Sequence, residues 1–230
     1  MPPVWVVPPF DVAKDRDPGL GLPSQMELVS SVRLVYVLLD VFSRYVVGWM
    51  VAHRESATLA ERLISASCER QGILPGQLTV HADRGSSMTS KPVAFLLADL
   101  GITKTHSRPH VSNDNPYSES QFKTMKYRPD FPERFGSIEH ARMYCVDFFR
   151  WYNDEHRHSG IGMLTPNDVH YGLAGMRHAH RAVVLQAAYA AHPERFVRQV
   201  PTPPTVPTAA WINKPINPPK LVSLIDANAL

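Results

Sequence analysis

Cysteine is scarce: two among 230 residues, Cys68 and Cys145. Two thiols cannot staple a chain of this size, so a disulfide scaffold is excluded and a reducing compartment is expected, with both thiols free. No apolar run reaches the 18 or so residues that a membrane helix needs, and MPPVWVVPPF lacks the basic region and apolar core of a signal peptide. Neither a glycine-rich phosphate loop nor a G-x-S-x-G elbow is present, which removes the usual support for nucleotide-binding and serine-hydrolase chemistry. Charge of one sign is also modest. Lys and Arg outnumber Asp and Glu by 24 to 21, a net +3 that does not by itself mark a nucleic-acid partner. These absences lead to a cytoplasmic protein with no membrane partner.

Proline is plentiful and unevenly placed. Six of the 21 fall in residues 1–23 and eight in residues 193–219. Proline fixes φ and lacks a backbone donor, so both ends resist helix and central strand. A folded core flanked by extended tails follows, with 44% hydrophobic residues enough to build it.

Within the core, residues 35–52 hold two β-branched apolar runs around a turn at Phe42–Arg44, a hairpin. Thr58 and Glu61 have capping-box spacing ahead of a helix that Gly72 stops. Residues 78–82 form a short strand ending at Asp83, and Ser90 with Pro92 opens a helix carrying Val93 and Leu97. A strand at 102–106, a helix from Pro116 to about Tyr127, a long helix from Ser137 and a helical stretch over 173–192 complete the order. That order indicates an α/β layer around a mixed sheet.

Two carboxylates stand out. Asp83 sits where a buried strand runs into a polar loop, the end at which α/β proteins place chemistry. Glu119 lies early in the helix that begins at Pro116, and Glu119, Lys123 and Lys126 recur at helical spacing on one face. Taken alone, that pattern also describes an ordinary solvated helix face.

LDVFSRYVVGW (39–49), HADRGS (81–86), DNPYSESQFKTMK (114–126) and WYNDEHRHSGIGMLTPNDVH (151–170) together resemble the catalytic core of bacterial insertion-sequence transposases related to retroviral integrases. The resemblance spans about residues 34–172, including thirty-five residues between Asp83 and Glu119. It implies a ribonuclease H-like mixed sheet flanked by helices, DNA as substrate, and two Asp and one Glu holding two Mg²⁺ or Mn²⁺ ions for phosphoryl transfer. By motif, Asp83 matches the second aspartate and Glu119 the glutamate, both catalytic and metal-binding; Lys123, Lys126 and Arg157 would contact DNA, where the protein would sit on the nucleoid and could self-associate. A non-catalytic nucleic-acid-binding remnant and a ribonuclease H-type nuclease are the alternatives.

The pattern breaks at the first aspartate. The family carries it on the first strand, in a Trp-x-x-Asp-x-Thr element about twenty residues before the position of Asp40. Counting back reaches PGLGLPSQMELVSS, which has no aspartate and no strand character. Asp17 is followed by Pro18 and Gly19, and Asp40 reads as a structural hairpin residue. The first strand is thus in doubt, residues 1–33 read as a degenerate or truncated segment, and impaired activity is expected. A shifted reading frame upstream of residue 34 would account for this. No helix-turn-helix pattern precedes residue 35. The remaining divisions are an integrase-like core over 34–172, a basic helical extension over 173–198 and a Pro-rich tail over 199–230.

Among weaker features, His106, His110, His156 and His158 lack the cysteines of a zinc set and read as surface or hydrogen-bonding residues. His81 could orient Asp83 or be a satisfied core histidine. Trp151, Tyr152, Cys68 and Cys145 read as packing residues.

Overall fold

The computed structural model describes residues 3–7, 9–11, 34–82, 88–106 and 116–212. Strand β3 (Leu34–Asp40) reads LVYVLLD and is buried on both faces along nearly its whole length, as a central strand requires. It turns at Asp40 into β4 (Val46–Ala52), its antiparallel partner on one side. Arg44 takes φ +66 in that turn. On the other side of β3 lie β1 (Val4–Val7) and β2 (Pro9–Asp11), end to end and both antiparallel to it. Next come β5 (Thr79–Ala82), parallel to β1, and β6 (Thr103–His106), parallel to β5. The sheet is therefore mixed, with an antiparallel half and a parallel half meeting at β1.

Helices cover both faces. Helix α1 (Ala57–Gln71) and α2 (Lys91–Asp99) pack Leu63, Ile64, Val93 and Leu97 on Trp5, Tyr36, Leu38 and Val80. Helix α3 (Pro116–Lys126) and the long α4 (Ile138–Asp154) pack Phe122, Met125, Phe148 and Tyr152 on Val35, Val37 and Leu39. Alternation along β3 thus feeds two separate cores. Short α5 (Pro166–His170) follows, then α6 (Ala174–Ala191).

The structure corrects the sequence reading in several places. The doubtful first strand exists, at Val4–Val7 in mid-sheet, far from the stretch reached by counting back. Ser56, not Thr58, is the N-cap residue of α1, without a side-chain cap bond; Gly72 ends the helix at φ +62 as expected. The C-terminal tail does not leave the core at residue 199. Val206 packs on a third cluster of Ile161, Leu164 and Val169, and the Tyr117 hydroxyl donates to the Trp211 carbonyl at 2.8 Å. Finally, α6 buries no residue, yet its arginines face the core: Arg177 pairs with Asp168 at 2.9 Å and Arg181 donates to the Gly162 and Met163 carbonyls.

Cys68 and Cys145 are buried free thiols, pushed up to about 11 and about 12 by burial, so both are inert packing groups. Tyr152 is buried as expected, while half-buried Trp151 lies under the Arg128 guanidinium. No helix among the described residues is long and apolar enough to cross a membrane.

Candidate active site

Helix α3 is amphipathic in a way that presents its charges. Ser118, Gln121, Phe122 and Met125 are buried, while Glu119 and Lys123 are exposed and Lys126 is half-buried. Pro116 opens the helix, where a missing donor costs nothing. Glu119 stands in the first turn, where the helix dipole favours an acid, and Lys123 and Lys126 stand in the last, where it favours bases. α3 packs against β1.

β1 and β5 run parallel in the register Val4↔Thr79, Trp5↔Val80, Val6↔His81 and Val7↔Ala82. Trp5 packs with α1 and α2, so alternation turns Val6 and its partner His81 to the other face, the one covered by α3. His81 is buried, with Nδ1 3.0 Å from the Thr105 hydroxyl on β6, the environment of a satisfied core histidine. Asp83, which follows Ala82 in the chain, lies outside the described residues, as do Asp17 and His110.

Asp40 is committed elsewhere. The Phe42 N–H donates to one carboxylate oxygen at 3.1 Å and the Ser43 hydroxyl to the other at 2.6 Å. His170 Nδ1 lies 3.3 Å from that second oxygen, and Nε2 lies 2.9 Å from Gln71 Oε1. Tyr45 stacks on the His170 ring at 4.3 Å. The carboxylate therefore closes the β3–β4 turn and ties it to α5 and α1, a structural role.

Arg157 is exposed and donates to the Met163 carbonyl at 3.4 Å, which steadies it without consuming its charge. Its neighbour His158 is pulled down to about 3 by burial, with the His156 and Arg44 charges adding to the effect. His158 is therefore neutral at pH 7 and no phosphate-binding cation, and burial also lowers His156.

Several contacts near α3 were not read from the sequence. The Arg44 guanidinium lies 3.9 Å over the Tyr117 ring, joining the β3–β4 turn to the helix of Glu119. The Ser118 hydroxyl and the Gln121 amide are buried without hydrogen-bond partners among the described residues. A polar residue amid apolar helical spacing is the one sequence signal for Gln121. Only three-dimensional contact could reveal the Arg44 and His170 pairings.

The three-carboxylate set implied for two divalent ions is not met by the described residues, among which no three His, Cys, Asp or Glu side chains gather to hold a metal. Glu119 is available, and Asp40 is occupied by its own turn.

Comparison with known proteins places these features. Two models described as integrase core domain match residues 26–112 and 100–166. The transposase for insertion sequence element IS904 of Lactococcus lactis subsp. lactis (strain IL1403) is 32% identical over 133 residues, covering 57% of this chain and 52% of that protein. The transposase InsF for insertion sequence IS3A of Escherichia coli (strain K12) is 30% identical over 131 residues, covering 56% and 45%. The chain thus spans about half the length of these relatives. The catalytic core domain of BIV integrase superposes with a TM-score of 0.50 at 18% identity over 76% of this chain and 97% of that one. A simian T-cell lymphotropic virus intasome chain gives 0.51 at 14% identity over 73% and 54%. At such identity these structures establish the fold alone, a ribonuclease H-like integrase core.

Proposed function

Because this chain carries the integrase core domain of insertion-sequence transposases, we propose that it acts on DNA as the core of a transposase, the site of strand cleavage and transfer by phosphoryl transfer. The observation that supports this most is the placement of α3. It carries Glu119 and two lysines on its accessible side and packs against the strand that pairs with β5, whose chain continues into Asp83. Asp83 and Glu119 are the carboxylates that would hold Mg²⁺ or Mn²⁺, hard cations that prefer oxygen ligands. Lys123, Lys126 and Arg157 would contact DNA phosphates, which position a duplex without reading its sequence. Assembly of several copies on DNA belongs to the same reading.

A second reading, DNA binding with little or no cleavage, is favoured by the sequence, in which the stretch reached by counting back from Asp40 carries no aspartate, and by Asp40 itself, whose carboxylate is bonded within its own turn. Loss of one ligand from such a site costs orders of magnitude in rate. Slow or undetectable nicking of a supercoiled plasmid in Mg²⁺ is therefore expected. Robust Mg²⁺-dependent nicking that disappears in Asp83→Asn would show the site to be complete.

DNA affinity tests the reading that both versions share. Fluorescence anisotropy with a labelled duplex at several salt concentrations should show binding that weakens steeply with salt. Lys123→Ala and Lys126→Ala should each flatten the log–log salt slope by about 1. No binding at low salt, or slopes untouched by both substitutions, overturns it.

A further inference from the structure

At the end of α3 one cation is held in a way that leaves it little to offer a phosphate. Arg128 donates through Nε and Nη2 to the two Asp130 carboxylate oxygens at 2.7 and 2.9 Å, so that edge of its fork is spent. Its Cζ lies 4.0 Å over the Trp151 ring on α4, and that ring in turn meets the His156 ring at 4.7 Å. Hydrogen bonding to Asp130 holds Arg128 above its ordinary value, and the charges of Asp130 and Glu155 add to the effect. Neighbouring acids thus already answer its charge. What remains is a flat guanidinium locked in place, its side chain 25% exposed. Tyr127 precedes it and is 76% exposed. The Tyr127 N–H donates to the Lys123 carbonyl and the Arg128 N–H to the Met125 carbonyl, so both residues continue the last turn of the helix. Glu119, Lys123 and Tyr127 are spaced four apart and line one side of it. At 1.5 Å per residue, Tyr127 lies about 12 Å beyond Glu119 along the axis.

We propose that Tyr127 and Arg128 form a stacking platform for an unpaired DNA base, one helical turn past Lys123; this rests on the reading of α3 as a DNA-binding helix. The phenol ring and the guanidinium share one property: each presents a flat surface on which any base can stack, and the arginine adds a cation–π attraction. A phosphate would instead seek the donors at the edge of the guanidinium, and Asp130 holds two of those. A base inside a duplex is covered on both faces by its neighbours. Only a base at a strand end or in a single-stranded stretch can therefore reach such a surface. Exposed Lys123, on the same side of the helix, is placed to meet the backbone of the strand whose base is stacked. The platform lets the protein distinguish an open DNA end from continuous duplex. The lysines alone cannot do this, because phosphate contacts position a strand without reading its bases.

Fluorescence anisotropy with the full chain tests this on labelled DNA in three forms: a blunt duplex, the same duplex with a short oligothymidine tail, and the same duplex with an abasic sugar-phosphate tail of equal length. The quantity read is the ratio of tailed to blunt affinity within each protein. In wild type the thymidine tail should raise affinity at least about fivefold, and the abasic tail, with the same phosphates, much less. Arg128→Lys keeps the charge without the flat surface, and Tyr127→Ala removes the exposed ring. Each should bring the thymidine ratio down toward the abasic one, while Tyr127→Phe, which keeps a ring, should preserve it. Circular dichroism and thermal melting establish that each variant is folded. Tyr127 is exposed, so its two substitutions carry the test if Arg128→Lys unsettles Trp151. Equal gains from the two tails, no gain from either, or a thymidine ratio unchanged in both Tyr127→Ala and a folded Arg128→Lys overturns the proposal. A thymidine gain without salt-dependent binding of the blunt duplex upholds the platform and overturns the role given to the lysines. Salt-dependent duplex binding without a thymidine gain does the reverse.

Discussion

At the scale of single residues, buried charge is placed so that neighbours keep it ionised. Burial alone would raise the Asp168 carboxyl, but hydrogen bonds from Arg177 and Thr165 outweigh it and hold the group below the usual carboxylate range. Asp168 also accepts at the start of α5 from the Thr165 backbone, completing a capping box. A carboxyl lowered in the folded state adds stability above its ordinary value near pH 3.9 and loses it as pH falls through the lowered folded value. Arg177→Ala should therefore destabilise the protein by about 1 kcal/mol at pH 7, since half-exposed Arg177 is screened by solvent. The difference from wild type should shrink below about pH 4, read from melting temperatures between pH 3 and 7. A difference that persists undiminished at pH 3 assigns the loss to packing. Asp40→Asn should likewise cost about 1–2 kcal/mol by weakening the Ser43 bond that closes the turn, while leaving DNA affinity as it was. The sequence supplied the position of Asp40 in a hairpin but not its partners. His170 lies 130 positions from Asp40 and 99 from Gln71, and no local pattern encodes such meetings.

At the scale of elements, close approach decides more than propensity. α1 crosses β4 at Gly48, where an added Cβ would stand 2.2 Å from the Ser67 hydroxyl oxygen and 3.3 Å from a Leu63 methyl. Gly48→Ala should cost about 1–3 kcal/mol by overpacking. Ser67 is buried and its hydroxyl has no partner among the described residues, so Ser67→Ala should be near neutral or stabilising. The double variant should recover most of the loss, with a coupling of at least about 0.5 kcal/mol in a double-mutant cycle of urea unfolding. Additive effects would show that the helix shifts as a whole. Elements with a strong period were legible: the β3–β4 hairpin, α1, α2, α3 and α4 fall within a few residues of where spacing of Leu, Val and Phe puts them. β1 was not, because Pro3, Pro8 and Pro9 frame Val-Trp-Val-Val and argue against a central strand. Its distance from β3 also misled. Twenty-two residues separate Asp11 from Leu34, and a longer connection adds little free energy, about 0.6 kcal/mol for each doubling. Strand pairing therefore sets no fixed count to search back over. Glu119 could be placed for the opposite reason, since it lies in the first turn of a well-patterned helix.

At the scale of the whole molecule, the proline-rich C-terminal run acts as a strap. Val206 covers Ile161, Leu164 and Val169, Gly162 sits so close beneath the Pro204 and Thr205 carbonyls that a Cβ would come within 3.2 Å of both, and the Trp211 carbonyl accepts from Tyr117 on α3. One segment thus joins the region after α4 to the helix that carries Glu119. Extended, proline-rich backbone suits this, since it loses less entropy on docking than a flexible chain would. Removing the central contact should loosen both ends together. Val206→Asp places a charge against an apolar cluster and should cost about 1–3 kcal/mol. Hydrogen exchange should then rise across residues 161–169 and at the start of α3, while α1 and α2, packed on the opposite face of the sheet, stay protected. Faster exchange confined to residues 203–211 would mean that the strap lies on the core without holding it. If α3 does loosen, DNA affinity should fall in the same variant although neither Lys123 nor Lys126 has been touched, because both lysines, proposed to meet DNA phosphates, depend on how that helix is held.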